Sequence, residues 1–194
     1  MLAIRQNFKS KNESKNTKTL MNGALQEETS EKTQLIKGQM NQKFMREAIR
    51  LSVKMMRCGQ GGPFGAVVVR NGKIVSRGRN QVTSANDPTA HAEIVAIRAA
   101  CQRLKTFQLD DCDLYTSCEP CPMCLSAIYW ARLRKVFYGN TREDAARINF
   151  DDDFIYREVG LPIGKRKIRM KQLLRKEALV AFQEWERKPD KILY

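Results

Sequence analysis

A chain of 194 residues that is 42% hydrophobic is long enough to bury one substantial core and too short for two ordinary domains, so one folded domain is expected. Nothing approaches the roughly 18 consecutive apolar residues of a membrane span, and no charged-then-apolar leader stands at the amino end; a cytoplasmic protein with no membrane attachment is expected. The net charge of +14 divides as +3 over residues 1–40, +5 over 41–160 and +6 over 161–194, which suits either a solvated lysine-rich surface or, at the carboxy end, a footprint for nucleic-acid phosphates.

Residues 1–39 are rich in Lys, Asn, Ser, Thr, Gln and Glu and lack sustained apolar periodicity. Such a segment buries too little to offset its ordering entropy, and a disordered or loosely ordered extension is expected, with the folded domain running from 40 to 194. Apolar residues from Phe44 to Met56 recur at helical spacing and predict a first helix ending near Cys58 and Gly59. A glycine-rich turn then leads through Pro63 into a strand over Phe64–Val69. Asn71-Gly72 is a strong hairpin marker, and Lys73–Arg79 reads as the returning strand. Asn80 closes that strand, and the polar loop Thr83–Pro88 delivers His91. Residues 91–104 are alanine- and isoleucine-rich with no breaker, which predicts a mostly buried helix. A strand over Leu114–Thr116, a helix from Cys121 or Met123 to Ala131, a strand over Lys135–Tyr138 and a helix over Arg142–Arg147 follow. This order predicts three-layer α/β packing with helices flanking one mixed sheet. At the carboxy end Ile168, Met170, Leu173, Leu174, Ala178, Ala181, Phe182 and Trp185 form an amphipathic helical stripe that Pro189 interrupts; taken alone, it predicts a helix capping its own sheet.

The chemistry concentrates in two short stretches. The one histidine, His91, stands two residues before Glu93, and Pro120 precedes Cys121-Pro122-Met123-Cys124. One imidazole and two thiolates are the ligand count of a catalytic zinc that keeps its fourth position for water, whereas a structural zinc takes a fourth side chain. Both stretches lie at helix starts, where unpaired N–H groups and the positive dipole end favour thiolate and hydroxide. Cys121 and Cys124, three apart, share a helix face. A Cys-x-x-Cys by itself would equally be a redox pair or two buried thiols. On a regular helix His91 and Glu93 diverge by roughly 200°, so they converge only if His91 occupies the turn leading into the helix. Glu93 then lies over the metal-bound water as a general acid/base and is not a ligand. The spacing H-x-E…P-C-x-x-C is that of zinc-dependent base deaminases. Cys58, Cys101, Cys112 and Cys118 are expected to be reduced thiols in packed or shielded positions.

Pro63-Phe64-Gly65-Ala66-Val67, Asn80, Asp87-Pro88-Thr89-Ala90-His91-Ala92-Glu93 and Thr116-Ser117-Cys118-Glu119-Pro120-Cys121-Pro122-Met123-Cys124 resemble the cytidine/deoxycytidylate deaminase superfamily over about residues 40–194. Within it, Gly61-Gly62-Pro63-Phe64, Ala127-Ile128-Tyr129-Trp130-Ala131-Arg132, the run from Asn149 to Tyr156 and the carboxy-terminal Tyr194 are most similar to bacterial guanine deaminases, in which residues 1–39 have no counterpart. The resemblance implies a three-layer α/β/α cytidine-deaminase-like fold around a central mixed five-stranded sheet. It implies one Zn2+ per subunit on His91, Cys121 and Cys124, and hydrolysis of guanine to xanthine and ammonia in purine catabolism, with Glu93 shuttling protons. It further implies that Phe64 and Trp130 flank the purine plane, that Asn80 hydrogen-bonds its edge, and that Asp152 of the Asp151–Asp153 run reaches the guanine N–H groups. Segment 168–194 would be exchanged in a homodimer, with Tyr194 closing the pocket of the other subunit. The same zinc elements would serve adenosine in transfer RNA, which the basic carboxy-terminal region suits and Trp130 and the Phe150–Phe154 run disfavour, or a nucleoside such as guanosine or cytidine. A zinc-stabilised binding module without catalysis would have little use for Glu93 in place of a fourth ligand.

Overall fold

The computed structural model describes residues 38–150 and 152–193. The expectations for residues 1–37, for Asp151 and for Tyr194 therefore lie outside the described residues. The chain divides into two compact units, residues 1–43 and 44–194. In the first, the described residues 38–43 are helical; in the second, residues 44–57 form helix α1.

Four strands form one sheet: β1 (Gly65–Arg70), β2 (Lys73–Arg79), β3 (Cys112–Cys118) and β4 (Lys135–Asn140), in the order β2-β1-β3-β4. The turn between β1 and β2 has φ of 49° at Asn71 and 70° at Gly72, the left-handed pair of a type I′ hairpin. Strand β1 is antiparallel to both β2 and β3, and β3 is parallel to β4. The expected fifth strand is absent among the described residues. After β4 the chain turns at once into helices α5 (Arg142–Arg147) and α6 (Asp153–Gly160), and residues 166–174, the next extended stretch, carry no strand.

Side chains of β1 alternate between two cores, as the two-residue repeat of a strand requires. Between β2 and β3 in the chain lie helices α2 (Val82–Ala85) and α3 (Ala92–Leu104). Ala66 and Val68 face a cluster with Ala92, Ala96, Ile97 and Ala100 of α3 and Ile128 of helix α4 (Pro122–Trp130). Val67 and Val69 face Phe44 and Leu51 of α1, together with Tyr115, which stacks on Phe137 with ring centroids 4.6 Å apart. The sheet is thus covered on both faces, the three-layer arrangement expected.

The strand directions position the site. Because β2, β3 and β4 run one way and β1 the other, the carboxyl ends of β2, β3 and β4 meet the amino end of β1 at one edge of the sheet. Phe64, Asn80, the residues from Thr116 to Cys121, and Arg142 all fall there, the edge at which α/β sheets bind ligands.

The carboxy-terminal stripe differs from expectation. Its helix, α7 (Arg175–Arg187), begins only after Leu174, whose φ of 49° breaks the helical path, so Ile168, Met170 and Leu173 precede it. No residue of α7 is buried, and Phe182 is 75% exposed, so the helix does not cap its own sheet. All six cysteines are free; Cys112, Cys118 and Cys124 are buried, whereas Cys58, expected to be shielded, is exposed beyond the end of α1. Among the described residues, no helix is long and apolar enough to cross a membrane.

Candidate active site

Two helix starts build the centre. His91 is the N-cap of α3, with φ −68° and ψ 155°, and Cys121 is the N-cap of α4, with φ −64° and ψ 168° and Pro122 as the first helical residue. The extended backbone at His91 removes the angular divergence of a regular helix, so the imidazole and Glu93 reach the same place. His91 Nδ1 lies 3.5 Å from the sulfurs of both Cys121 and Cys124, and the three ligand atoms all lie within 4.8 Å of one another. A sulfur and an imidazole nitrogen on one tetrahedral zinc, at about 2.3 and 2.05 Å, stand about 3.6 Å apart. The donor set therefore fits zinc, which His91, Cys121 and Cys124 would hold. Zinc bound there would supply Lewis acidity to an attacking water.

The surrounding charges suit that role. The Cys124 thiol beside it, and then His91, draw the Cys121 thiol well below its ordinary range. Cys121 in turn draws His91 upward. Burial raises the Glu93 carboxyl above its ordinary range, against the Thr116 hydrogen bond that lowers it. A carboxyl biased towards holding a proton suits a group that must both take one and give it back. Thr116 Oγ1 donates to Glu93 Oε1 at 2.8 Å, and both residues are buried.

Short backbone links gather the remaining residues. The Asn80 amide donates to the Phe64 carbonyl at 3.1 Å and the Gln81 amide to the Ala90 carbonyl at 2.9 Å, tying three chain segments together just before His91. Asn80 Oδ1 accepts from the amides of Gly62 and Val82, each at 3.3 Å. Gly61, at φ 146°, is required here, since a Cβ would stand 2.1 Å from the Asn80 carbonyl oxygen. On the opposite side, Tyr156 of α6 donates its hydroxyl to the Pro120 carbonyl at 2.9 Å, and the Glu119 amide bonds the Asn140 carbonyl at 2.8 Å. These bonds fasten α6 and β4 to the loop that carries Cys121.

The result is a cavity of about 600 Å³ that brings together Phe64, Asn80, His91, Glu93, Cys121 and Asp152. It also takes in Glu119, Arg142, Phe150 and Ile155, to which the sequence reading gave no role. The phenylalanine beside the acidic run, Phe150, packs edge-on against Phe64 with centroids 4.9 Å apart and an interplanar angle of 88°. Trp130 is not there. It is 66% exposed and lines a separate groove with Ile94, Ile97 and Phe107. The reason is helical rise: α4 carries the chain about 13 Å from Cys121 before Trp130 is reached. Within one chain, Phe150 and not Trp130 is the aromatic neighbour of Phe64.

A three-layer α/β/α fold with a His-Cys-Cys zinc centre and a buried carboxylate beside it defines a class, the zinc-dependent hydrolytic deaminases. Residues 39–140 match the family described as the cytidine and deoxycytidylate deaminase zinc-binding region, and the chain belongs to that family. Guanine deaminase of Bacillus subtilis (strain 168) is 54% identical to it over 142 residues, 73% of this chain and 91% of that protein. An X-ray structure of guanine deaminase from Bacillus subtilis is similar with a TM-score of 0.77 at 52% identity, covering 79% of this chain and 98% of that one. A tRNA-specific adenosine deaminase of Aquifex aeolicus (strain VF5) is 42% identical over 96 residues, 50% of this chain and 63% of that protein.

Proposed function

We propose that the protein hydrolyses guanine to xanthine and ammonia, and that residues 40–194 form the catalytic domain. The observation that carries this reading is the polar pairing inside the cavity. Asn80 spends its carbonyl oxygen on two backbone amides, which leaves its NH2 group to donate to an acceptor of a bound ring. Asp152 lines the same cavity, and its carboxylate would accept from ring N–H groups. A guanine presents both kinds of edge, and Phe64 with Phe150 supplies an apolar wall for its plane. Glu93 takes a proton from water as the oxygen adds at C2 and delivers it to the departing amine, so guanine and water become xanthine and ammonia. Likeness to a guanine deaminase over 91% of that protein's length supports the same substrate.

The enzyme works as a homodimer in which segment 168–194 is exchanged and Tyr194 closes the cavity of the other subunit. The bare apolar face of α7 and of the stretch before it supports this, because exposed apolar surface of that extent marks an interface. Six free cysteines suit a reducing cytoplasm. One feature favours transfer-RNA adenosine as a second reading: the exposed basic run from Lys165 to Lys176. Ammonia release measured in parallel from guanine, guanosine, cytidine, adenine and a transfer-RNA anticodon stem-loop separates the two. Guanine is expected to be the fastest substrate; an inert guanine beside a deaminated stem-loop would establish the second reading.

A further inference from the structure

We propose that Thr116 is a positioning residue for the deamination: its hydroxyl pins one oxygen of Glu93, Oε1, and so assigns proton transfer to the other, Oε2.

Glu93 hangs from the first turn of α3 on a side chain with three rotatable bonds, and a carboxylate that carries a proton between two reacting atoms has to hold one orientation throughout. Thr116 supplies the constraint from the opposite element. It sits in β3, the strand flanked by β1 and β4, pairs with Ala66, and is 0% exposed. Its Oγ1 donates to Glu93 Oε1 at 2.8 Å, a short bond between side chains carried by a strand and a helix. Oε2 is the oxygen turned towards the metal ligands, 3.5 Å from the Cys124 sulfur, which as a zinc-bound thiolate would not donate to it. The Glu93 backbone amide also donates to the carboxyl, and Thr116 fixes which oxygen faces β3; the water proton then goes to Oε2, on the metal side, and leaves from Oε2 to the amine.

The simpler alternative is that Glu93 satisfies a buried hydroxyl, and nothing more. The two readings differ in what removal of the hydroxyl does. Thr116→Val fills the same volume without a donor, whereas Thr116→Ser keeps the donor and loses a methyl group. A satisfied hydroxyl affects stability; an aimed carboxylate affects turnover.

This inference rests on Glu93 as the proton carrier, so the test begins with the wild-type substrate panel, and the variants are compared on whichever substrate the wild type deaminates. Failure of guanine as substrate is thereby read separately from failure of Thr116. For zinc-loaded Thr116→Val we expect kcat to fall at least about fivefold with KM within about twofold and one zinc per chain retained, and for Thr116→Ser a kcat within about threefold of wild type. A smaller loss in Thr116→Val, a loss confined to KM, loss of zinc, or a Thr116→Ser as slow as Thr116→Val overturns the proposal. Should Thr116→Val not fold, Thr116→Ala is judged by the same criteria.

Discussion

Gly78 in β2 and Ala92 in the first turn of α3 touch backbone to backbone: a Cβ at position 78 would stand 1.9 Å from the Ala92 carbonyl oxygen and 2.6 Å from the Ala96 amide nitrogen. Helix α3 is seated on the strand at that point, and His91 is the residue just before it. Gly78→Ala therefore has to lift the helix start. The expected cost is about 3 kcal/mol of stability, accompanied by weakened zinc retention, both read from thermal unfolding with metal analysis. An unchanged melting temperature would mean that the seat is not rigid.

Glu47 of α1 binds Arg77 of β2 and Arg50 of its own helix, each at 2.7 Å. The Arg50 hydrogen bond is the largest influence and, with Arg77, lowers the carboxyl from an ordinary 4.5 to about 2. A carboxyl depressed on folding contributes stability that is full above its unfolded value and lost as pH falls, here from about 4.5 towards about 2. Both arginines are about half exposed, with relative side-chain accessibilities of 55% and 52%, and solvent screening reduces the contribution. Glu47→Gln is expected to cost about 1 kcal/mol at neutral pH, with the difference from wild type shrinking below pH 4 in denaturant titrations.

Asn80→Asp retains the oxygen that the Gly62 and Val82 amides bind but replaces the donating NH2 by a second acceptor. A site that offers a donor to a ring acceptor rejects the reversed pairing strongly. KM for guanine is expected to rise at least about tenfold with zinc content unchanged, in steady-state assays with parallel metal analysis. Equal KM values would remove Asn80 from base recognition.

Deletion of residues 190–194 tests the closing role given to Tyr194. Zinc content should be unchanged, and kcat/KM for guanine should fall at least about tenfold if the last residue excludes water over the partner's cavity. Turnover equal to that of the full chain would discard the lid.

What was legible in the sequence was whatever short-range chemistry dictates. His91-Ala92-Glu93 and Pro120-Cys121-Pro122-Met123-Cys124 are local patterns, and their convergence needed only that each open a helix, as each does. The hairpin at Asn71-Gly72 and the helix over Arg142–Arg147 were readable for the same reason. Sequence and structure diverge where distance through the fold decides. Trp130 shares a helix with the cysteines, yet that helix carries it to another groove. Phe150 comes beside Phe64 through α5 and the turn after it, which no periodicity announces. Thr116 read as a strand residue at the head of the Thr116–Cys124 motif, and only the strand's register against β1 and the seating of α3 bring its hydroxyl to Glu93. The fifth strand was an inference from resemblance alone; the residues themselves showed four, as do the described residues of the structure.

Guanine turnover by zinc-loaded Glu93→Gln, measured against wild type with xanthine and ammonia both quantified, tests the central claim most directly. The wild type should release the two products one to one, and the variant should retain one zinc per chain while its kcat falls at least about 100-fold. A Glu93→Gln enzyme turning over at close to the wild-type rate, or a wild type that leaves guanine unchanged, would contradict the account.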